Sequence, residues 1–112
     1  MTASDLYSLS LSTLVATRKK MLSPAWQEAL DGQSAELKAA ASMDLVQVQM
    51  AISALSNAVL TDIANQMNDE SQAIQDATGE LNRALQNINK VQNVIRAVTT
   101  MLDTVSKFIT LV

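Results

Sequence analysis

The sequence predicts an all-α chain, and three observations carry that prediction. Gly32, Gly79 and Pro24 are the only glycines and proline among 112 residues, so almost nothing interrupts a helix. Large aliphatics recur every seventh residue, at Leu60, Met67, Ile74, Leu81, Ile88, Ile95, Leu102 and Ile109. Three places further on in each heptad stand Ile63, Glu70, Ala77, Ala84, Val91, Val98, Val105 and Val112, with Glu70 the only polar member. A seven-residue repeat held this long marks a helix surface that packs on other helices, in a coiled coil or a bundle.

The first element reads as a short helix over residues 4–20. Leu6, Leu14 and Val15 suit helical spacing, although Tyr7-Ser8-Leu9-Ser10-Leu11 alternates with a period of two. The second covers residues 24–31. Ser23 is its N-cap, and Pro24 takes the first helical position, where no N–H is needed. Asp31-Gly32 supplies the turn that ends it. These two amphipathic helices make up residues 1–33. They are expected to fold back onto the remainder or onto a neighbour, with Trp26 as anchor.

Residues 34–112 contain no proline and form one heptad-patterned element. Its stripe begins as Leu45, Val48, Ile52, Leu55 and Val59, then steps four and four through Ile63 and Met67 into the phase described above. Such a step is expected to alter the supercoil locally without ending a helix. Residues 68–71 and 76–79 are candidate turns, and Gly79 inside a helix costs about 1 kcal/mol relative to Ala. The phase nevertheless crosses both, from Ile74 through Ala77 to Leu81. That favours a single long helix, roughly 120 Å in length, over a hairpin turning near 68–79. Charge favours the hairpin. No basic residue lies between Lys38 and Arg83, whereas Asp44, Asp62, Asp69, Glu70, Asp76 and Glu80 do. Beyond them Arg83, Lys90, Arg96 and Lys107 face only Asp103. Acidic and basic segments of this kind pair within a folded-back chain or between staggered subunits.

The composition excludes much chemistry. Without cysteine or histidine, structural zinc, haem ligation, thiol catalysis and Ser-His-Asp catalysis lose their usual residues. No phosphate-binding glycine loop or catalytic dyad is present, so neither an enzyme, a cofactor nor a small-molecule substrate is expected. Asp69, Glu70, Asp76 and Glu80 lack the converging spacing a hard cation needs and read as solubilising charges. A net charge of −3 gives no electrostatic case for nucleic acid. Arg18-Lys19-Lys20 is too short for a lipid-headgroup patch and suits the C-terminal end of a helix. No stretch reaches the roughly 18 apolar residues of a membrane span. The N-terminus lacks the basic-then-apolar order of a secretory signal. The expected location is therefore the cytoplasm, or outside by a route that reads no such signal.

What remains is assembly. Val94, Met101 and Phe108 widen the C-terminal stripe beyond a two-helix seam, and Phe108-Ile109-Thr110-Leu111-Val112 ends the chain apolar. A bare apolar terminus would invite aggregation, so something must cover it. The large apolar members of the two rows from Leu60 to Val112, leaving out Glu70, Ala77 and Ala84, are the expected assembly seam, with Trp26 and Phe108 as anchors. Glu70 would fix register if it sits in the seam, or would occupy a turn. The expected function is a non-enzymatic structural subunit that packs on copies of itself or on a paralogous helical chain, forming a filament, sheath or inclusion-type polymer. A membrane-acting or pore-forming helical component ranks second, since residues 94–112 are amphipathic. A helical chaperone or adaptor for a coiled-coil partner ranks third.

In size, absence of cysteine and apolar C-terminus the chain resembles two kinds of bacterial assembly subunit. One comprises the needle, inner-rod and filament subunits of type III secretion, which are short helical hairpins. The other comprises the small structural proteins of refractile inclusion bodies. The resemblance is one of texture and length, and it implies assembly without assigning a role to any residue.

Overall fold

Side-chain caps open the first three helices of the computed structural model, which describes residues 1–111. The helices among these residues are α1 (Ala3–Met21), α2 (Pro24–Asp31), α3 (Ala35–Asn57), α4 (Leu60–Asp69), α5 (Ser71–Leu85) and α6 (Val91–Val105), and no strand is present among them. Thr2 and Asp5 form a reciprocal capping box on α1: each side chain accepts the other residue's N–H at 3.1 Å. Ser23 accepts the Trp26 N–H at 3.3 Å, with Pro24 behind it in the first turn of α2. Ser34 accepts the Leu37 N–H at 3.2 Å to start α3. Gly32 ends α2 at a φ of −86°, so the turn does not use the left-handed conformation.

The long helix expected over 34–112 does not form. Residues 35–105 make four helices instead. The first break lies at Ala58 and Val59, both extended, with ψ of 146° and 118°. This is where the stripe slips by one residue. The slip marks a helix end, in place of the supercoil adjustment expected there. The second break is a kink at Glu70, at φ −98° and ψ 12°. Its N–H reaches both Gln66 and Met67 carbonyls, at 3.0 and 3.2 Å, and its own carbonyl accepts the Ile74 N–H at 2.8 Å. Hydrogen bonding thus passes almost unbroken from α4 into α5.

A reversing turn lies at residues 86–90, outside the expected 68–79, and α5 runs straight through 76–79. Gln86-Asn87-Ile88-Asn89 is rich in amides, which hydrogen-bond to local backbone and compete with helix. Asn87 donates its N–H to the Ala84 carbonyl at 3.1 Å, and Lys90 does so to Asn87 at 3.2 Å. From there α6 returns antiparallel along α5. Lys107, just past the end of α6, lies 3.6 Å from Glu70 at the start of α5. The heptad phase survives the turn because both helices present their stripe to one core and Ile88 packs against its edge.

Helix α1 fills the centre, packing against α3, α4 and α5, while α6 packs against α3 and α5. Its buried face, Leu6, Ser10, Thr13, Leu14, Thr17 and Met21, is partly small and polar, which lets backbones approach closely. The Thr17 hydroxyl is satisfied by the Thr13 carbonyl at 2.7 Å. Residues on both sides of position 33 share one core: Leu6, Leu14, Met21 and Trp26 join Val48, Leu55, Ile74 and Val98. The molecule measures 44 × 25 × 19 Å. A lone helix would leave its broad apolar face in water, and folding back buries that face within the chain. The accessible surface of 6199 Å² is close to the roughly 6,000 Å² of a folded monomer of this mass.

Candidate interaction surface

The residues expected to form an assembly seam lie in the chain's own interior. Met67, Ile74, Leu81, Val98 and Val105 are fully buried, and Ile63, Val91, Ile95, Leu102 and Ile109 are buried with them. Leu60 and Ile88 are partly buried against the same core. Trp26 and Phe108 are buried as well. Val112 lies outside the described residues. Glu70 sits at the kink between α4 and α5, paired with Lys107. A seam between copies built from these side chains would first have to open this core.

A second stripe stays outside. On α3, Ala39, Met43, Val46, Met50, Ser53 and Asn57 follow one another at steps of four and three, the spacing of a helix-facing row. Met43 and Val46 are 64% and 55% exposed, and Val59 just beyond the helix is 59% exposed. Val46, Met50, Ser53, Ala54 and Asn57 border a shallow hollow of about 420 Å³ along this face. The face is also uncharged. From Ala39 to Thr61 the sole ionisable residue is Asp44, and Asp44 is buried against α6, accepting the Thr99 hydroxyl at 3.2 Å. Burial pushes its carboxyl above the ordinary value, partly opposed by the Thr99 hydrogen bond and reinforced by Asp103. Sequence reading passed over this stripe because the inner one, Val48-Ile52-Leu55, dominates the same helix. Its signal was the run without exposed charge.

A groove of about 420 Å³ lies between α5 and α6. Arg83, Lys90 and Arg96 stand exposed along it, Ala84 and Ala97 are its most buried members, and Glu80 is its one carboxylate. Across the end of α5, Lys19 and Lys20 border a neighbouring hollow with Leu85 and Ile88. Among the described residues the ion pair between Lys107 and Glu70 is the only one, so the cations along the groove have no carboxylate partner. Asp69, Glu70, Asp76 and Glu80 do not converge: no group of three or more potential metal ligands occurs among the described residues. No described helix is long and apolar enough to cross a membrane.

No family model matches this chain, and no curated protein or solved structure is significantly similar to it. The surfaces themselves therefore carry the functional argument.

Proposed function

We propose that this chain is a non-enzymatic helical subunit that associates with copies of itself, or with a paralogous helical chain, through the outer face of α3. The observation that carries the reading is the row Ala39-Met43-Val46-Met50-Ser53-Asn57, apolar or neutral throughout and exposed except for the half-buried Met50, on a chain whose other helices present charge to water. Two such faces meet without like-charge repulsion, and their spacing of four and three lets side chains of one row seat between those of the other. A strip of this kind is about 27 Å long and about 10 Å wide. That is short of the roughly 800 Å² per partner in a stable interface, so pairing is weak and concentration-dependent. Built into an extended assembly, it would serve as one contact among several.

Size-exclusion chromatography with light scattering, followed by negative-stain microscopy, tests the reading. Wild type should shift from monomer to larger species as concentration rises, and Met43→Asp with Val46→Asp should stay monomeric with an unchanged helical spectrum. Wild type that remains monomeric at millimolar concentration would refute it.

A further inference from the structure

We infer that the groove between α5 and α6 receives the acidic outer face of α4 from a second copy of the chain, joining subunits head to tail. The inference rests on the self-association proposed above and specifies its polar contact. Three observations converge on it. The groove gathers Arg83, Lys90 and Arg96 against the single carboxylate Glu80. Lys19 and Lys20 border a separate hollow on the other side of the same end of α5, so this end of a protein of net negative charge is basic on both sides. Helix α4, by contrast, contains no cation. Its exposed Asp62 and Asp69 lie seven residues apart, on one side of the helix and about 10 Å from each other. Neither makes an ion pair among the described residues.

The shapes agree with the charges. Ala84 and Ala97 keep the floor of the groove low, which leaves room for a helix to lie between its two rims. The remaining exposed side chains of α4 include Thr61, Asn65 and Gln66, neutral groups that the amides of Asn87 and Asn93 on the rims can meet without desolvating a charge. The two surfaces share no residue. A contact between them is therefore heterologous, and repeated contacts of that type extend into an open chain unless the rotation closes a ring. The α3 face, pairing with its own like, adds lateral contacts. Together the two would give a filament or sheet, where either alone gives a dimer or a single strand.

Charge reversal with mixing provides the test. The groove variant carries Arg83→Glu and Arg96→Glu; the face variant carries Asp62→Lys and Asp69→Lys. All four positions are exposed, and circular dichroism verifies that each variant folds. Wild-type growth beyond the α3 pair should weaken by about tenfold between roughly 20 and roughly 300 mM NaCl, as screening shortens the reach of the charges. Each variant alone should stop at the α3 pair, and an equimolar mixture should grow again, since every groove then meets a face of opposite sign. Growth of both variants alone, matching wild type, would overturn this contact while leaving the α3 reading intact. Loss of growth that mixing does not restore would also overturn it, since the occupant of the groove would not be α4. Signals from the groove that move on adding a short oligonucleotide, but not on raising protein concentration, would assign the groove to nucleic acid and overturn it as well. A wild type that stays monomeric throughout would overturn the underlying self-association, and this contact with it.

Discussion

Thr99 on α6 donates its hydroxyl to the Asp44 carboxylate on α3 at 3.2 Å, across 55 positions of sequence. It is the hydrogen bond that gives this buried acid a partner, and it does not fully compensate its loss of water. Burial raises the Asp44 carboxyl above its ordinary value of 3.8, the Thr99 hydrogen bond lowers it, and Asp103 raises it again. The folded chain therefore holds this proton more tightly than the unfolded chain does. The corresponding stability is fully present below 3.8 and is lost as pH rises through the higher folded value. Asp44→Asn keeps an acceptor for Thr99 and removes the charge. Urea denaturation should find it more stable than wild type at neutral pH, with the difference shrinking toward zero on acidification to about pH 4. Asp5, whose carboxyl is lowered by the Thr2 backbone and side-chain hydrogen bonds, loses its capping contribution on acidification in both proteins, so it cancels from the comparison. A difference that grew on acidification would contradict this account.

Tyr7 ties the first helix to the end of the third. Its hydroxyl donates to the Leu55 carbonyl at 2.7 Å, one of the last carbonyls of α3, which helical hydrogen bonding leaves open. The same carbonyl also accepts the Ala58 N–H at 3.2 Å, so losing the phenol does not strand it. Tyr7→Phe should therefore cost only about 0.5–1 kcal/mol, read as a lower urea midpoint at unchanged slope. A loss several times larger would mean that the contact positions α3 as well as satisfying it.

Gly79 lies inside α5, and no glycine takes a positive φ. A Cβ added there would meet only the Arg83 guanidinium, at 3.8 Å, an ordinary contact. Gly79→Ala should stabilise the fold by about 0.5–1 kcal/mol, because alanine loses less backbone freedom on entering a helix. A rise of the thermal midpoint checks this. Destabilisation would place a turn at 76–79 after all.

The helical class and the buried side chains were legible because glycine, proline and apolar spacing are local properties. Ser23-Pro24 marked the start of α2 for the same reason. Chain path was not legible. A heptad phase records which way side chains face, and that is equally satisfied by a helix on a partner and by α5 returning along α6. Leu81 and Val98 keep phase on opposite sides of the turn at 86–90, so continuity of phase could not separate the two. The phase slip at Val59 was visible and was the better guide to a break. The amides of Asn87 and Asn89 signalled the turn, and the shared spacing of Leu81, Ile88 and Ile95 obscured it. The outer row of α3 escaped because Met43 and Val46 resemble core residues until burial of Val48 and Leu55 shows which side of the helix is taken.

That ambiguity has a decisive mutational form. Ile95 is 9% exposed in the chain's own core, whereas Met43 is 64% exposed. An aspartate at Ile95 would be an unpaired charge in a desolvated site, costing about 3 kcal/mol or more, a large part of the roughly 5–15 kcal/mol that holds a domain together. Ile95→Asp should therefore lose its cooperative thermal transition or shift it down by 10 °C or more, roughly, at every protein concentration. Met43→Asp, facing water, should cost less than about 0.5 kcal/mol and change only the species formed at high concentration. Circular dichroism melts at two concentrations distinguish these outcomes. If Ile95→Asp instead melts like the wild-type monomer and loses association alone, then the row from Leu60 to Ile109 faces another chain, and the packing of α6 on α5 and α3 is not what buries it.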